Sequence, residues 1–343
     1  MIKRQSYALK AGNLNNLKLV EENLSDPSAG QVTVAVSAIG LNFADIFAMF
    51  GLYSATPKGT FIPGLEYAGT IVKTGSGVTS VQVGDRVMGV TRFGAYTTHL
   101  NIEETYVIPI PNGWTDEEAS GYLVQVLTAY YGLTYLGRLE KGETVLIHSA
   151  AGGVGILANR IAKKYGAFTI GSVGSSAKVD FCKKEGYDQV IVRSNNFGND
   201  LKNALGDRKL NVVMECIGGK IFTEGFKQMT EQGRMVIYGA AQYASPGKRP
   251  NYLKAAWMFL NRPKIDAQGL AEDNKTVSGF NLIYLYEKAE LLHQLLGELK
   301  DLNLEKPHIG NVIDFDKMIE AIQLFQTGKT MGKVVVKVNN PSI

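Results

Sequence analysis

The chain has 343 residues, of which 45% are hydrophobic and 20% are charged, and this composition is typical of a soluble globular protein long enough for two domains. Its formal net charge of only +4 and the lack of a basic block with interleaved aromatic residues argue against a nucleic-acid-binding protein. The two cysteines, Cys182 and Cys216, exclude a disulfide framework and a cysteine-rich zinc lobe.

The amino-terminal segment and the apolar runs bear on the location of the protein. The start, "MIKRQSYALK", has charges but lacks the apolar core of a signal peptide. The longest apolar runs are far shorter than the roughly 20 residues that span a bilayer. Since cysteines are also few, we expect a cytoplasmic protein without a membrane span.

The first third of the chain has the pattern of short strands and glycine turns. Val32, Val34 and Val36 recur with a period of two in "QVTVAVSAIG", which predicts a strand, and residues 67–90 are typical of a strand, a glycine turn and a second strand. This pattern of short strands and glycine turns predicts an all-β, barrel-like unit. A helix is predicted to follow, because Thr115 and Glu118 match a capping box.

The pattern changes at Thr144 to an alternation of strands and helices. The strand "TVLIHSA" precedes the helix "VGILANRIAKKYGA", and the alternation continues to the strand "RMVIYGA". Such alternation predicts a parallel, doubly wound α/β sheet. After about residue 275 the pattern is mixed again and ends in a strand.

A glycine-rich stretch separates the first strand of this sheet from its helix. Gly152, Gly153, Val154 and Gly155 occupy the position of a dinucleotide fingerprint, where small residues let a pyrophosphate approach backbone N–H groups. The spacing departs from the usual GxGxxG, so a purely structural tight turn is the alternative.

The end of the second strand, "GSVGSSAK", bears on the choice of cofactor. An NAD site usually has an acidic residue there, and this chain has none before Asp180. Ser175 and Lys178 suit a ribose phosphate instead, which favours NADPH. Alternatively, Ser175 caps the next helix and Lys178 is solvated. Arg193 either adds a cation near the same phosphate, stacks on adenine or is merely exposed.

Several segments together carry a resemblance to a known family. The segments "GLNFADIFAMFGLY", "PGLEYAGTIVKTGSGVTSVQVGDRV" and "HSAAGGVG" resemble the zinc-independent quinone oxidoreductases, the zeta-crystallin-like group of the medium-chain dehydrogenase/reductase superfamily. The segments "VSGFNLIYL" and "KPHIGNVIDFDKMIEAIQLFQTGKTMGKVVVKV" are more similar still to its vesicle amine transport protein subgroup. The resemblance implies a GroES-like substrate domain in residues 1–122, a Rossmann NADPH-binding domain in residues 123–275 and a return to the substrate domain in residues 276–343.

The chain departs from the zinc-dependent members of this superfamily. It has Asn42 where they carry a cysteine ligand, and Leu65 where they carry the histidine of "GHE". Two ligands are therefore missing, and we expect no catalytic metal. Without a Lewis acid the chemistry favours electron-poor acceptors such as quinones and α,β-unsaturated carbonyl compounds.

The resemblance also implies individual site residues. Asn42, Tyr53 and Thr128 would surround the nicotinamide and act in catalysis. Further cofactor contacts implied by the resemblance are Gly174, Gly239, Ala240, Phe280 and Lys333. From the residues alone, Tyr53 is equally a loop aromatic, Thr128 a helix hydroxyl bonded to its own backbone, and Lys333 a strand-edge lysine.

The resulting hypothesis is an NADPH-dependent reductase of small quinones or enones that forms a homodimer. The alternatives are a nucleotide-binding interaction protein without catalysis and an enoyl-thioester reductase. The strand "RMVIYGA" is expected near the sheet edge, where the dimer would form. The apolar segment 253–263 either caps that interface or lines the substrate cleft.

Overall fold

The computed structural model describes residues 1–244 and 246–339. Within these ranges the strands are β1 (Ile2–Lys10), β2 (Lys18–Leu24), β3 (Gln31–Gly40), β4 (Thr60–Phe61), β5 (Glu66–Thr74), β6 (Arg86–Val90), β7 (His99–Glu103), β8 (Val107–Pro109), β9 (Thr144–His148), β10 (Phe168–Val173), β11 (Gln189–Val192), β12 (Leu210–Glu215), β13 (Met229–Ile237), β14 (Thr276–Gly279), β15 (Ile309–Asp314) and β16 (Lys333–Lys337).

The helices surround these strands on both domains. In chain order they are α1 (Phe43–Met49), α2 (Asp116–Ser120), α3 (Leu123–Tyr130), α4 (Gly153–Lys164), α5 (Val179–Lys184), α6 (Phe197–Leu205), α7 (Gly219–Gln228), α8 (Tyr252–Leu260), α9 (Ala267–Glu272), α10 (Ala289–Lys300) and α11 (Met318–Gln326). Among the described residues, no helix combines the length and the apolar composition that crossing a bilayer requires.

The β-rich domain combines the two ends of the chain. Its larger sheet has the order β15-β16-β3-β5-β6-β8, with β7 paired to β3, and a smaller sheet has the order β2-β1-β4. Strand β16 pairs antiparallel with β3, so the last described strand lies beside the first long strand of this sheet. This arrangement is the GroES-like barrel expected from the sequence.

The α/β domain contains a six-stranded parallel sheet of order β11-β10-β9-β12-β13-β14. The central strand β9 is fully buried, as its continuous apolar sequence predicts. The strand order reverses between β9 and β12, and the crevice outside the carboxyl ends of these strands is where such sheets bind ligands. The predicted doubly wound α/β class is confirmed.

The chain returns to the barrel later than the sequence suggests. Strand β14 begins at Thr276 and pairs in parallel with β13, so it extends the α/β sheet instead of starting the substrate domain. The barrel sheet resumes only at β15. Consequently β13, which contains most of "RMVIYGA", is the penultimate strand and β14 forms the edge, while the homodimer stays a prediction.

The predicted helix after Thr115 is interrupted. The capping box of Thr115 and Glu118 is present, but α2 ends before Gly121, and α3 continues into a π-helical turn at Tyr131–Leu136. A Cβ on Gly121 would lie 2.9 Å from Cγ of Lys333. The break therefore admits the close approach of β16.

The junction of β9 and α4 gives a first testable prediction. A Cβ on Gly155 would lie 2.5 Å from the carbonyl oxygen of Ser149 and 2.7 Å from that of Ala150. Both are backbone atoms, so Gly155→Ala should lower the free energy of unfolding by about 1–3 kcal/mol. Urea denaturation of the purified variant measures this change.

Gly297 provides the matched control, because it lies on the exposed side of α10 with no atom within 4 Å of an added Cβ. Gly297→Ala should raise stability by about 0.5–1 kcal/mol through helix propensity. Equal stability of Gly155→Ala and the parent protein would contradict the packing argument.

Candidate active site

A cavity of about 1330 Å³ lies between the two domains. It exceeds the roughly 300–1,000 Å³ of typical small-molecule sites, so a dinucleotide and a second ligand can be accommodated together. The cavity brings together most of the sequence-predicted residues. The lining ones are Asn42, Tyr53, Thr128, Gly152, Gly153, Val154, Gly155, Gly174, Lys178, Arg193, Gly239, Ala240, Phe280 and Lys333.

The glycine loop forms one wall of this cavity. Helix α4 begins at Gly153, and its N-cap Gly152 has no side chain to accept from the first-turn N–H groups. These donors and the positive end of the helix dipole lie at the cavity wall. The Gly332 N–H donates to the carbonyl of Ala151 over 2.8 Å, so the barrel domain touches the loop directly.

Two cations lie beside the end of β10. A Cβ on Gly174 would come within 3.0 Å of Arg193 Nη2, so the guanidinium covers this glycine. Lys178 donates to the carbonyl oxygens of Gly328 and Thr330 over 2.6 and 2.7 Å. Burial, and secondarily the charge of Arg193, lowers the pKa of Lys178. This cavity wall is therefore electropositive, and Lys178 also ties the two domains together.

Ser175 is the predicted site residue that does not line the cavity. Its hydroxyl accepts from the Ala177 N–H over 3.3 Å and caps a short 3₁₀ turn. The side chain is exposed. The structure thus gives Ser175 the capping contact that the sequence allowed as the alternative.

A row of buried polar side chains holds Arg193 in position. His148 Nε2 lies 3.1 Å from Glu215 Oε2, and His148 Nδ1 lies 2.6 Å from Ser172 Oγ. Arg193 Nη1 donates to the same Ser172 hydroxyl over 3.2 Å and to its carbonyl over 3.1 Å. Burial raises the pKa of Glu215, but His148 and the backbone N–H donors after β12 lower it overall. His148 is a core residue that supports the cation.

A second polar cluster, formed by Asn42, Asp45, Glu66, Gln125 and Lys333, lies on the barrel side of the cavity. Glu66 Oε1 accepts from Lys333 Nζ over 2.5 Å, from Gln125 Nε2 over 2.7 Å and from Asn42 Nδ2 over 3.0 Å. Lys333 also donates to Asn42 Oδ1 over 2.9 Å. The members are nearly inaccessible to solvent, so each charge depends on the others.

The hydrogen bonds of this cluster limit what its members can do. Asn42 Nδ2 donates to Glu66 and to the Gly40 carbonyl, while its Oδ1 accepts from Gln125 and Lys333, so the amide is fully engaged. Lys333 has three N–H donors and two partners among the described residues. Lys333 is also among the residues that line the cavity. Burial lowers the pKa of Lys333, and Glu66 opposes this shift.

Asp45 completes the cluster at the start of α1. Its Oδ2 accepts from the Asn42 N–H over 2.8 Å and from the Tyr96 hydroxyl over 3.2 Å. Its Oδ1 has no hydrogen-bond partner in residues 1–244 and 246–339. Burial raises the pKa of Asp45 to about 7, although the hydrogen bond from Asn42 and the charge of Lys333 both act to lower it.

Tyr53 and Thr128 differ in how their hydroxyls are held. Tyr53 donates to Asn281 Oδ1 over 2.5 Å, and burial raises its pKa. The Thr128 side chain lies on α3, nearly buried, and its hydroxyl has no hydrogen-bond partner within the described chain. Its bonding to the backbone, which the sequence allowed, is therefore not observed.

Sequence reasoning missed three members of the polar cluster as functional residues. Glu66 was visible only as the retained acid of "GLE", and Asp45 only as the acid of a capping box in "NFAD". Gln125 belongs to no motif that points to a functional role. Their role depends on Lys333, which is 267 residues away from Glu66 in the chain.

Matches to known protein families agree with this architecture. Residues 28–112 match the alcohol dehydrogenase GroES-like domain, and residues 153–296 match the zinc-binding dehydrogenase family. A human protein, the synaptic vesicle membrane protein VAT-1 homolog, is 33% identical over 314 residues, covering 90% of this chain and 79% of the relative. The chain belongs to the medium-chain dehydrogenase/reductase superfamily.

Solved structures of the superfamily share the whole fold. Escherichia coli quinone oxidoreductase complexed with NADPH is 27% identical, with a TM-score of 0.83 over 98% of this chain and 99% of that one. The CurK enoyl reductase is 26% identical, with a TM-score of 0.84 over 98% of this chain and 100% of that one. Both support an oxidoreductase of this superfamily.

Although one matched family of the superfamily is named for zinc, the described residues hold no group of three or more His, Cys, Asp or Glu side chains placed to bind a metal ion. The two missing ligand positions are filled by Asn42 and Leu65. The independence of zinc stays a prediction.

The buried carboxyl of Asp45 predicts a specific dependence of stability on pH. Its folded-state pKa of about 7 exceeds the unfolded value of 3.8, so the folded protein must ionise a buried acid as the pH rises. The contribution of protonated Asp45 to the free energy of unfolding is fully present below about pH 4. It is lost as the pH rises from 4 to 7, and the loss amounts to at most about 4 kcal/mol. Asp45→Asn should therefore lose less stability than the parent protein between pH 5 and 8.

Thermal or urea unfolding at several pH values measures this difference. Asp301→Asn, at the exposed end of α10, is the control and should follow the parent protein. Parallel stability curves for the parent protein and Asp45→Asn would show that Asp45 is not the titrating group.

Proposed function

We propose that this protein is a zinc-independent, NADPH-dependent reductase of quinones or α,β-unsaturated carbonyl compounds. The proposal rests on the observation that three features occur together in one cleft. It contains an uncapped helix start, two cations near the end of β10 and a buried ammonium with a free donor. This combination suits a phosphorylated dinucleotide beside a carbonyl acceptor.

The lining residues fit NADPH in a consistent order. Gly152, Gly153 and Gly155 leave room for a pyrophosphate against the backbone N–H groups of α4. Lys178 and Arg193 would hold the ribose phosphate, with Ser175 contributing no direct contact. Gly174 would lie against the adenosine under the Arg193 guanidinium.

The other end of the cleft would receive the nicotinamide. Gly239 and Ala240 follow β13, and Phe280 follows β14, so backbone and one aromatic ring face this space. Thr128 adds a hydroxyl whose hydrogen-bonding capacity is unused. When bound, NADPH supplies the hydride, and the chain supplies orientation and the electric field.

The acceptor oxygen needs a donor as negative charge develops on it. We assign this role to Lys333, because its third N–H is unused and its charge is held by Glu66. One such donor in a dry site contributes about 3 kcal/mol to transition-state stabilisation. Asn42 and Tyr53 act as positioning residues, since Asn42 orients the ammonium and the Tyr53 proton is engaged by Asn281.

The same assignment explains how the reaction proceeds without a metal. In this proposal the Lys333 ammonium provides the positive charge that a Lewis acid provides elsewhere. A quinone or enone is already electron-poor, so a single cationic donor suffices.

An enoyl-thioester reductase is the second candidate function. The likeness to the CurK enoyl reductase favours it, since the hydride step is the same. Lysine and arginine contacts for a carrier phosphate would be required in addition. Small enones and coenzyme A thioesters compared as acceptors distinguish the two.

The choice of cofactor can be tested at the electropositive wall of the cavity. Arg193→Gln and Lys178→Met should weaken NADPH binding about 10- to 100-fold, since each removes a partner of the ribose phosphate. NADH binding should weaken much less, because NADH lacks the ribose phosphate and shares only the adenosine contact beneath Arg193. Fluorescence titration of both nucleotides measures the dissociation constants.

Ser175→Ala is the control for this titration, because it is close in sequence but faces away from the cavity. It should keep the NADPH affinity of the parent protein. Equal losses for NADPH and NADH in the Arg193 variant would overturn the assignment of the phosphate to this wall.

The role of Lys333 can be tested by kinetics. The paired variant Lys333→Met with Glu66→Gln removes both buried charges, which avoids leaving one unpaired. It should lower kcat with ethyl vinyl ketone about 100-fold while the NADPH dissociation constant stays within a factor of three. Lys337→Met, on the exposed end of the same strand, should leave kcat unchanged.

Two results would count against this account. Retention of kcat in the paired variant would remove Lys333 from catalysis. Failure of the parent protein to oxidise NADPH with any enone or naphthoquinone would contradict the proposed reductase itself.

A further inference from the structure

Helix α8 (Tyr252–Leu260) lies at the mouth of the cavity. It belongs to the connection between β13 and β14, yet it reaches the barrel domain. The Leu14 N–H donates to the carbonyl of Lys248 over 2.9 Å, and the Tyr252 hydroxyl donates to the carbonyl of Gly12 over 3.4 Å. No residue of α8 is buried. The helix therefore lies across the cleft and is not part of either core.

Helix α8 carries two apolar faces. The inner face consists of Tyr252, Ala255, Ala256 and Phe259, which line the cavity at the i, i+3, i+4, i+7 spacing of one helical stripe. On the outer face, Leu253, Trp257 and Leu260 are 87%, 65% and 72% exposed, whereas Tyr252 and Phe259 on the inner face are 54% and 55% exposed. The apolar segment that the sequence analysis left open thus contributes its inner face to the cleft.

The inner face continues the apolar wall of the barrel side. Tyr252 bonds to Gly12, whose own N–H donates to the carbonyl of Met49 at the end of α1. Leu52 and Tyr53, three and four residues after Met49, line the same cavity. The space beneath α8 is therefore continuous with the chamber beside Tyr53, where the acceptor would lie.

The far end of this wall is held in place. The Arg262 guanidinium lies 3.9 Å from the centre of the Phe259 ring and donates to the Phe259 carbonyl over 2.6 Å. A cation stacked on the ring fixes the ring orientation. From Tyr252 to Phe259 the inner face extends about 10 Å along the helix axis. Such a surface exceeds what a small quinone or methyl ketone needs.

We propose that the cavity takes acceptors that carry an extended apolar chain, and that the inner face of α8 binds this chain. The reacting enone lies beside Lys333, and its alkyl tail runs from Tyr53 beneath α8 towards Phe259. This inference rests on the proposed reductase function and adds the substrate class to it. Small acceptors react at the same site but leave the α8 wall unused.

The reaction itself balances as for any enone. A hydride from NADPH adds to the β-carbon, the carbon–carbon double bond is reduced, and a solvent proton completes the α-carbon. The product is the saturated ketone, and NADP⁺ is the oxidised product. The alkyl tail takes no part in these bond changes, so its contribution is to binding alone.

A homologous series of alkyl vinyl ketones tests the inference. We expect kcat/KM to rise about three- to fourfold per added methylene from methyl through butyl to octyl, since each buried methylene contributes a transfer free energy of this size. The rise should level off once the chain passes Phe259. A flat series with measurable reduction of methyl vinyl ketone would overturn the inference and leave the proposed function intact.

Neighbouring residues on the two faces of α8 provide matched variants. Ala256→Trp fills the space beneath the helix and should reduce kcat/KM for octyl vinyl ketone at least tenfold, with the value for methyl vinyl ketone unchanged. Leu260→Ala alters the outer face and should retain the chain-length dependence. Equal effects of both variants would show that the inner face does not bind the chain.

A binding measurement separates this inference from the failure of the reductase function. Calorimetric titration of the NADP⁺-loaded protein with a saturated octyl ketone requires no turnover. Binding that is tighter than for the ethyl ketone, and that Ala256→Trp abolishes, supports the apolar site even if no acceptor is reduced. No difference between the two ketones would overturn it.

Discussion

The buried ion pair of Lys333 and Glu66 is the interaction on which the site depends. It joins the last described strand, β16, to β5 in the barrel, and Gln125 of α3 donates to the same carboxylate. The residue before Lys333, Gly332, bonds to the glycine loop of the other domain. The same short segment therefore completes the barrel, sets the domain contact and delivers an ammonium to the cleft.

A buried charge of this kind is unfavourable unless each donor and acceptor is matched. Glu66 and Asn42 satisfy two protons of Lys333, and the third has no partner among the described residues. Arg193 is likewise held by buried polar contacts, which run from Glu215 through His148 and Ser172 to its guanidinium. The cleft thus has one supported cation at the wall beside β10 and another on the barrel side, while the surfaces between them are largely glycine, backbone or apolar.

Local patterns in the sequence predicted the parts of the fold that depend on nearby residues. The strand predicted at β3, the glycines before α4 and the capping box at Thr115 are all present, although β3 is buried on both faces. The glycine loop, Lys178 and Arg193 were predicted from the residues themselves and the other lining residues from the family resemblance, and the cavity brings all the predicted residues but Ser175 together. Ser175 does not line the cavity, because its hydroxyl accepts from the Ala177 N–H, two residues further along the chain. The same serine pattern suits a helix cap and a phosphate contact equally, so the sequence did not separate the two.

Other features were beyond local reasoning. The partnership of Glu66, Asp45 and Lys333 depends on the pairing of strands from opposite ends of the chain, which has no local signature. The apolar composition of α8 suits an interface and a cleft equally, and only the crossing of the helix over the cavity separates its two faces. The late return to the barrel follows from the parallel pairing of β14, a four-residue strand too short to assign from its pattern.

The alkaline limb of the pH–rate profile tests most directly whether a buried ammonium drives the reaction. Burial places the pKa of Lys333 below the usual 10.5, so loss of its proton should occur at lower pH than for an exposed lysine. We predict that kcat with ethyl vinyl ketone falls as the pH rises towards 10, and that Lys333→Arg removes this fall because arginine keeps its charge. A kcat that stays constant to pH 10 in the parent protein, or falls identically in the variant, would contradict the account.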